Sequence, residues 1–68
     1  MRIILSGEPR ELESADNLHD LLAHIAIDPS KNGIAIARNG VVIPKKNWEN
    51  EPLADGDAIE IVRASQGG

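Results

Sequence analysis

Apolar residues along this chain alternate in some stretches and recur every three or four positions in another, and that contrast sets its elements. Residues 1–5 form a short apolar run with β-branched side chains, halted by Ser6-Gly7-Glu8-Pro9, and residues 10–13 read as a second strand. A turn with Gly and Pro between two strand patterns predicts a hairpin. Leu18, Leu21, Leu22 and Ile25 then fall at i, i+3, i+4 and i+7, the single stripe of an amphipathic helix. Asn17 is placed to cap it, with Asp20 three residues on in an approximate capping box. The helix must stop before Asp28-Pro29, because the residue ahead of a proline is pushed out of the α region. About three turns of helix are marginal alone, so this one must lie on a sheet.

After the polar loop at 30–33, Ile34-Ala35-Ile36-Ala37-Arg38 alternates large and small residues, meets Asn39-Gly40 and continues as Val41-Val42-Ile43. Asn-Gly between two strand patterns is the strongest short-range hairpin signal. Pro44 closes that strand, residues 44–48 hold one helical turn, and 49–52 are loop. Asp55-Gly56-Asp57 turns the chain into a last strand over 58–64. The expected fold is α+β: a mixed four- to five-stranded sheet with one main helix on one face and the final strand at its centre. The domain spans 1–64, and residues 65–68 form a flexible Gly-Gly tail.

Parity assigns the two faces. Ile3, Leu5, Leu12, Ile34, Ile36, Ile43, Ile59 and Ile61 should meet the helix, with Trp48 and Leu53 plugging an end. Ile4, Ala35, Ala37, Val42 and Val62 fall on the opposite face, interrupted by Arg2, Arg38 and Glu60. A sheet with one solvated face should carry polar residues there. Contiguous apolar surface marks a protein contact instead, so Ile4, Ala37, Val42 and Val62 are the candidate partner-docking residues.

Composition narrows the chemistry. With 68 residues there is one domain at most, and burying its few large apolar side chains leaves little room for an enclosed active site. The chain has no Cys, hence no disulfide, thiolate metal site or thiol nucleophile. A net charge of −4 and a single aromatic residue argue against nucleic-acid binding, which needs a basic footprint and stacking surfaces. No apolar run approaches the ~20 residues of a membrane span; a cytoplasmic protein is expected. His19 and His24 are five residues apart on the helix and cannot share one metal from one face. His24 instead reads as an ordinary i,i+4 partner of Asp20. Lys45-Lys46 reads as a solvated basic turn, and no metal site or catalytic constellation is expected.

What remains is the end, Ser65-Gln66-Gly67-Gly68. Two glycines add nothing to a fold, since glycine loses the most backbone freedom on ordering and has no side chain to pack. On these residues alone the end reads equally as a frayed terminus or as a reactive one.

The whole pattern resembles the sulfur carrier family of thiamine biosynthesis, a ubiquitin-like β-grasp family with a C-terminal Gly-Gly. The resemblance rests on Gly7 at the first turn, Leu18-His19-Asp20-Leu21-Leu22 and Ile34-Ala35-Ile36-Ala37-Arg38-Asn39-Gly40. It continues through Val42-Ile43-Pro44-Lys45-Lys46-Asn47-Trp48, Asp55-Gly56-Asp57, Ile59-Glu60-Ile61-Val62 and Gly67-Gly68. The Pro-basic-x-x-Trp stretch separates this branch from molybdopterin-type carriers. Ser6 departs from the Asn common before Gly7, and Ser65-Gln66 is more polar than in many relatives.

The resemblance implies a carrier that is not itself an enzyme and binds no cofactor. The Gly68 α-carboxylate, presented beside Gly67, would be adenylated by an E1-like enzyme using ATP and Mg²⁺. A cysteine desulfurase system would then supply sulfur to form a thiocarboxylate, and thiazole synthase would take it. Nucleic acid and membranes are not among the implied partners. A molybdopterin-type carrier and a non-covalent ubiquitin-like interaction module are the alternatives.

Overall fold

The computed structural model describes residues 1–13, 17–28, 30 and 33–63. The expectations for Pro29, Lys31, Asn32 and residues 64–68, including both terminal glycines and the boundary of the tail, lie outside the described residues.

The chain runs β1 (Arg2–Leu5), β2 (Glu8–Glu11), α1 (Leu18–His24), β3 (Ile34–Arg38), β4 (Val41–Ile43), a 3-10 helix (Lys45–Asn50) and β5 (Ala58–Arg63). The strands form one five-stranded sheet in the order β2-β1-β5-β3-β4. β5 lies at the centre as expected, parallel to β1 and antiparallel to β3.

The first hairpin is tighter than the sequence reading. Ser6 and Gly7 alone make the turn, both at positive φ (49° and 84°), so Glu8 and Pro9 belong to β2 rather than to the loop. Pro9 is tolerated for a geometric reason. It faces Ile4, whose own N–H donates away from β2, to the Asp57 carbonyl at 2.9 Å. The pair is thus a non-hydrogen-bonded one, and the missing proline N–H would have pointed off the sheet edge, where a proline costs no ladder bond.

Asn17 caps α1 as read: its Oδ1 accepts from the Asp20 N–H at 2.8 Å. The helix is shorter than expected, seven residues. It ends before any influence of Pro29, at Ala26, which takes a positive φ of 59°. The Ile27 N–H reaches back to the Leu22 carbonyl and the Ala26 N–H to that of Ala23, the Schellman pattern that satisfies orphan carbonyls at a helix end.

The core is a single cluster of Ile3, Leu12, Leu18, Leu21, Leu22, Ile36, Ile43, Trp48 and Ile59, with Leu5, Ile25, Ile34, Leu53 and Ile61 packed around it. Every residue assigned inward by parity is in that cluster or against it. Trp48 is the plug it was expected to be, and its indole N–H donates to the Ile43 carbonyl at 2.9 Å. The helical turn that carries it is a six-residue 3-10 helix, reaching into residues read as loop.

Candidate docking face and the strand that leads to the terminus

The face of the sheet away from α1 is built by strand alternation. β1 contributes Ile4 beside Ala58 of β5, β3 contributes Ala35 beside Val62, and Ala37 sits between Glu60 and Val42. Ile4, Ala37, Val42 and Val62, the predicted docking residues, therefore share one face. Val42 and Val62 are 67% and 57% exposed and Ile4 is 36% exposed, whereas Ala37 is half-buried. A shallow, mainly apolar depression of ≈ 310 Å³ lies among Ile4, Gly7, Ala37, Gly40, Ala58 and Glu60. At one margin Arg2 pairs with Glu11 at 3.0 Å in full view of solvent, a contact of ~0–1 kcal/mol that orders little.

Arg38 does not belong to this face. It pairs with Ile59, so its side chain rises on the core side, among the groups that anchor the start of β5. Its Nε donates to Asp57 Oδ2 at 2.7 Å and its Nη1 to Glu51 Oε2 at 3.1 Å. Asp57 is 6% exposed and fully engaged: Oδ2 also accepts the Ala54 N–H at 2.8 Å, and Oδ1 accepts the Asn39 side-chain amide at 3.0 Å. Asn39 returns the favour to β5, its Oδ1 accepting the Ala58 N–H at 2.9 Å. The same residue makes the turn into β4, with Asn39 and Gly40 at φ 51° and 86°, the geometry Asn-Gly favours. The loop that follows the 3-10 helix, the β3–β4 turn and the entry to β5 are thus tied to one carboxylate.

Burial by itself would raise the Asp57 pKa, but hydrogen bonds from Arg38, Asn39 and the Ala54 N–H outweigh it and hold the carboxyl below its ordinary value. The hydrogen bond that Arg38 donates to Asp57, with a second donated to Glu51, holds the guanidinium above its own ordinary value. Sequence reading took Asp57 for one residue of an Asp-Gly-Asp turn. The signal that distinguishes it is register: only Asp57, not Asp55, directly precedes a central strand opposite an Arg-Asn pair.

Among the described residues, no group of three or more His, Cys, Asp or Glu is arranged to hold a metal. No helix among them is long and apolar enough to cross a membrane. The residues that carry the expected carrier chemistry, Gly67 and Gly68, lie outside the described residues; β5, which leads to them, is described up to Arg63.

A mixed sheet in the order β2-β1-β5-β3-β4 with one helix packed across it defines a β-grasp domain of the ubiquitin-like kind. Compared with known families, residues 3–68 match the ThiS family. The chain is 34% identical over 64 residues to the sulfur carrier protein ThiS of Thermus thermophilus, covering 94% of this chain and 95% of that protein. It is also 31% identical, over its full length, to a thiazole synthase of Paramagnetospirillum magneticum, but it spans only 20% of that protein. Among solved structures it superposes on the thiamine biosynthesis protein ThiS of Geobacter metallireducens with a TM-score of 0.82, covering 100% of both chains at 24% identity. That likeness speaks to the fold. This chain belongs to the ThiS family.

Proposed function

We propose that this chain is a sulfur carrier of thiamine biosynthesis, working in the cytoplasm, with the Gly68 α-carboxylate as its functional group. The observation that carries the reading is the family match, which runs from residue 3 through both terminal glycines. A carboxylate is a poor electrophile. An E1-like adenylating enzyme, using ATP and Mg²⁺, joins a carboxylate oxygen to AMP with release of pyrophosphate, which creates a leaving group. The terminal sulfur of a persulfide from a cysteine desulfurase system then attacks that carbonyl and displaces AMP, and a thiol reductant cleaves the resulting acyl disulfide to leave a thiocarboxylate for thiazole synthase to consume.

The relatives support the last step. One thiazole synthase contains, within its own chain, a stretch matching this entire sequence, and a carrier used in trans by such a synthase has the same task. The apolar face formed by Ile4, Ala37, Val42 and Val62 gives partners a rigid grip, which offsets the ~1–2 kcal/mol per residue of ordering entropy that the incoming tail loses.

The test is direct. Incubation with the adenylating enzyme, Mg-ATP and a sulfur source should raise the intact mass by the difference between one sulfur and one oxygen. Deleting Gly68 should abolish the gain and leave the amide spectrum of the domain unchanged. A wild-type mass that stays constant with active enzymes overturns the proposal in favour of a non-covalent interaction module.

A further inference from the structure

The central strand is only half enclosed. Alternation along β5 sends the backbone groups of Ala58, Glu60 and Val62 toward β3, as the 2.7 Å bond from the Asn39 N–H to the Ala58 carbonyl fixes. The carbonyl of Asp57 and the backbone groups of Ile59, Ile61 and Arg63 point to the β1 side. There the Ile4 N–H bonds the Asp57 carbonyl and the Ser6 N–H bonds the Ile59 carbonyl, at 2.9 and 2.8 Å. At Ser6 and Gly7 the chain then turns back into β2, and the β1–β5 pairing goes no further than Leu5↔Ile59. Beyond that point no strand among the described residues stands on this side of β5. The N–H and C=O of Ile61 and the N–H of Arg63 face a cleft instead.

That cleft, of ≈ 270 Å³, is lined by the apolar side chains of Leu5, Ile25, Ile27 and Ile61 and by Ser6, Glu8, Arg10 and Arg63. Neither arginine is in an ion pair among the described residues, in contrast to Arg2 and Arg38. Unpaired backbone groups on a strand edge are a template for another strand, and pockets beside such an edge supply side-chain selectivity. Two arginines against one glutamate leave this edge net positive, which favours an acidic occupant.

We propose that the open half of β5 is a strand-addition site, taken by an extended segment of the partner enzyme that carries apolar residues and an acidic side chain. The added strand continues the line of β1 past its turn, bonds the main chain of Ile61 and Arg63, and sets its carboxylate between Arg10 and Arg63. Because β5 leads directly to the tail, this pairing fixes the direction in which the last residues enter the partner. The inference rests on the carrier reading for the identity of that partner.

Quenched amide hydrogen exchange on the full chain, with and without the adenylating enzyme, tests it. Free in solution, Ile61 and Arg63 should exchange far faster than Glu60 and Val62; with enzyme bound, they should slow at least tenfold. The double variant Arg10→Glu with Arg63→Glu should need about tenfold or more carrier for half-maximal mass gain, with the final extent of conversion retained. Conversion that proceeds while those amides exchange unchanged in the complex overturns strand addition and leaves the carrier function standing. Absence of conversion in the wild type overturns the carrier reading and this partner with it. Slowing that grows with the concentration of free chain alone makes a second copy the occupant, and equally overturns the proposal.

Discussion

The two faces of the sheet solve opposite problems with residues one position apart. On the helix side Arg38 is locked by Asp57 and Glu51, Trp48 is hydrogen-bonded and sealed, and no buried side-chain polar atom among the described residues lacks a partner. On the other side Ala37 sits half-buried between Glu60 and Val42, and Val42 stays mostly exposed. The lesson is a division of labour. A domain this small keeps its conformational specificity on one face, so the other can remain apolar and available without collapsing onto itself.

That division predicts a ranking of effects. The largest should come from Trp48→Ala, which opens a cavity and strands the Ile43 carbonyl; a loss of about 3–5 kcal/mol in urea unfolding is expected. Next is Asp57→Ala, which removes the acceptor of Arg38, of the Asn39 amide and of the Ala54 N–H together. Because Arg38 keeps some access to water, about 2–3 kcal/mol is expected, below the full cost of a broken buried pair. Replacing both partners, as Arg38→Met with Asp57→Leu, should cost less than Asp57→Ala alone, by the same urea unfolding.

Acid gives a third, smaller handle. The folded Asp57 carboxyl titrates below its unfolded value, so its contribution is fully present above the ordinary aspartate range. It is lost as pH falls from that range through the lower folded value. Thermal unfolding followed from pH 7 downward should show this component below about pH 4, and Asp57→Asn should lack it.

Smallest for stability, and largest for partners, is the other face. Val42→Ser and Val62→Ser should change unfolding free energy by about 1 kcal/mol or less. The concentration of carrier needed for thiocarboxylate formation should nonetheless rise severalfold. Equal conversion by these variants would show that the apolar face is not where partners grip.

How much of this was legible in the sequence follows from how local each feature is. The Leu18-Leu21-Leu22-Ile25 stripe, the Asn39-Gly40 turn and the alternation of Ile34 and Ile36 are short-range signals, and the elements they predict stand in the structure. The docking candidates needed only strand parity, and their sharing of a face came out as read. Features set by register between distant strands did not. Arg38 was placed outward, yet by counting from Ile36 it shares the core side, where Asp57 waits 19 positions away. Pro9 looked like a loop residue because nothing local says that its strand is an edge. The open half of β5 depends on β1 ending beside Ile59 while β5 runs on to Arg63, a mismatch of lengths visible only once both strands are paired. The shortness of α1 is likewise a matter of Ala26, a residue with no sequence mark of a left-handed turn.

The parallel pair between the first strand and the last carries a consequence for synthesis on the ribosome. Ile4 and Ala58 are partners at the middle of the sheet, so the nascent chain can form its two hairpins early but has no centre to join them until the final strand has emerged. Closing so distant a contact is slow to nucleate, and a product cut short before Ala58 lacks the strand that unites both halves. Such a fragment presents neither a continuous apolar face nor an ordered lead into the terminus.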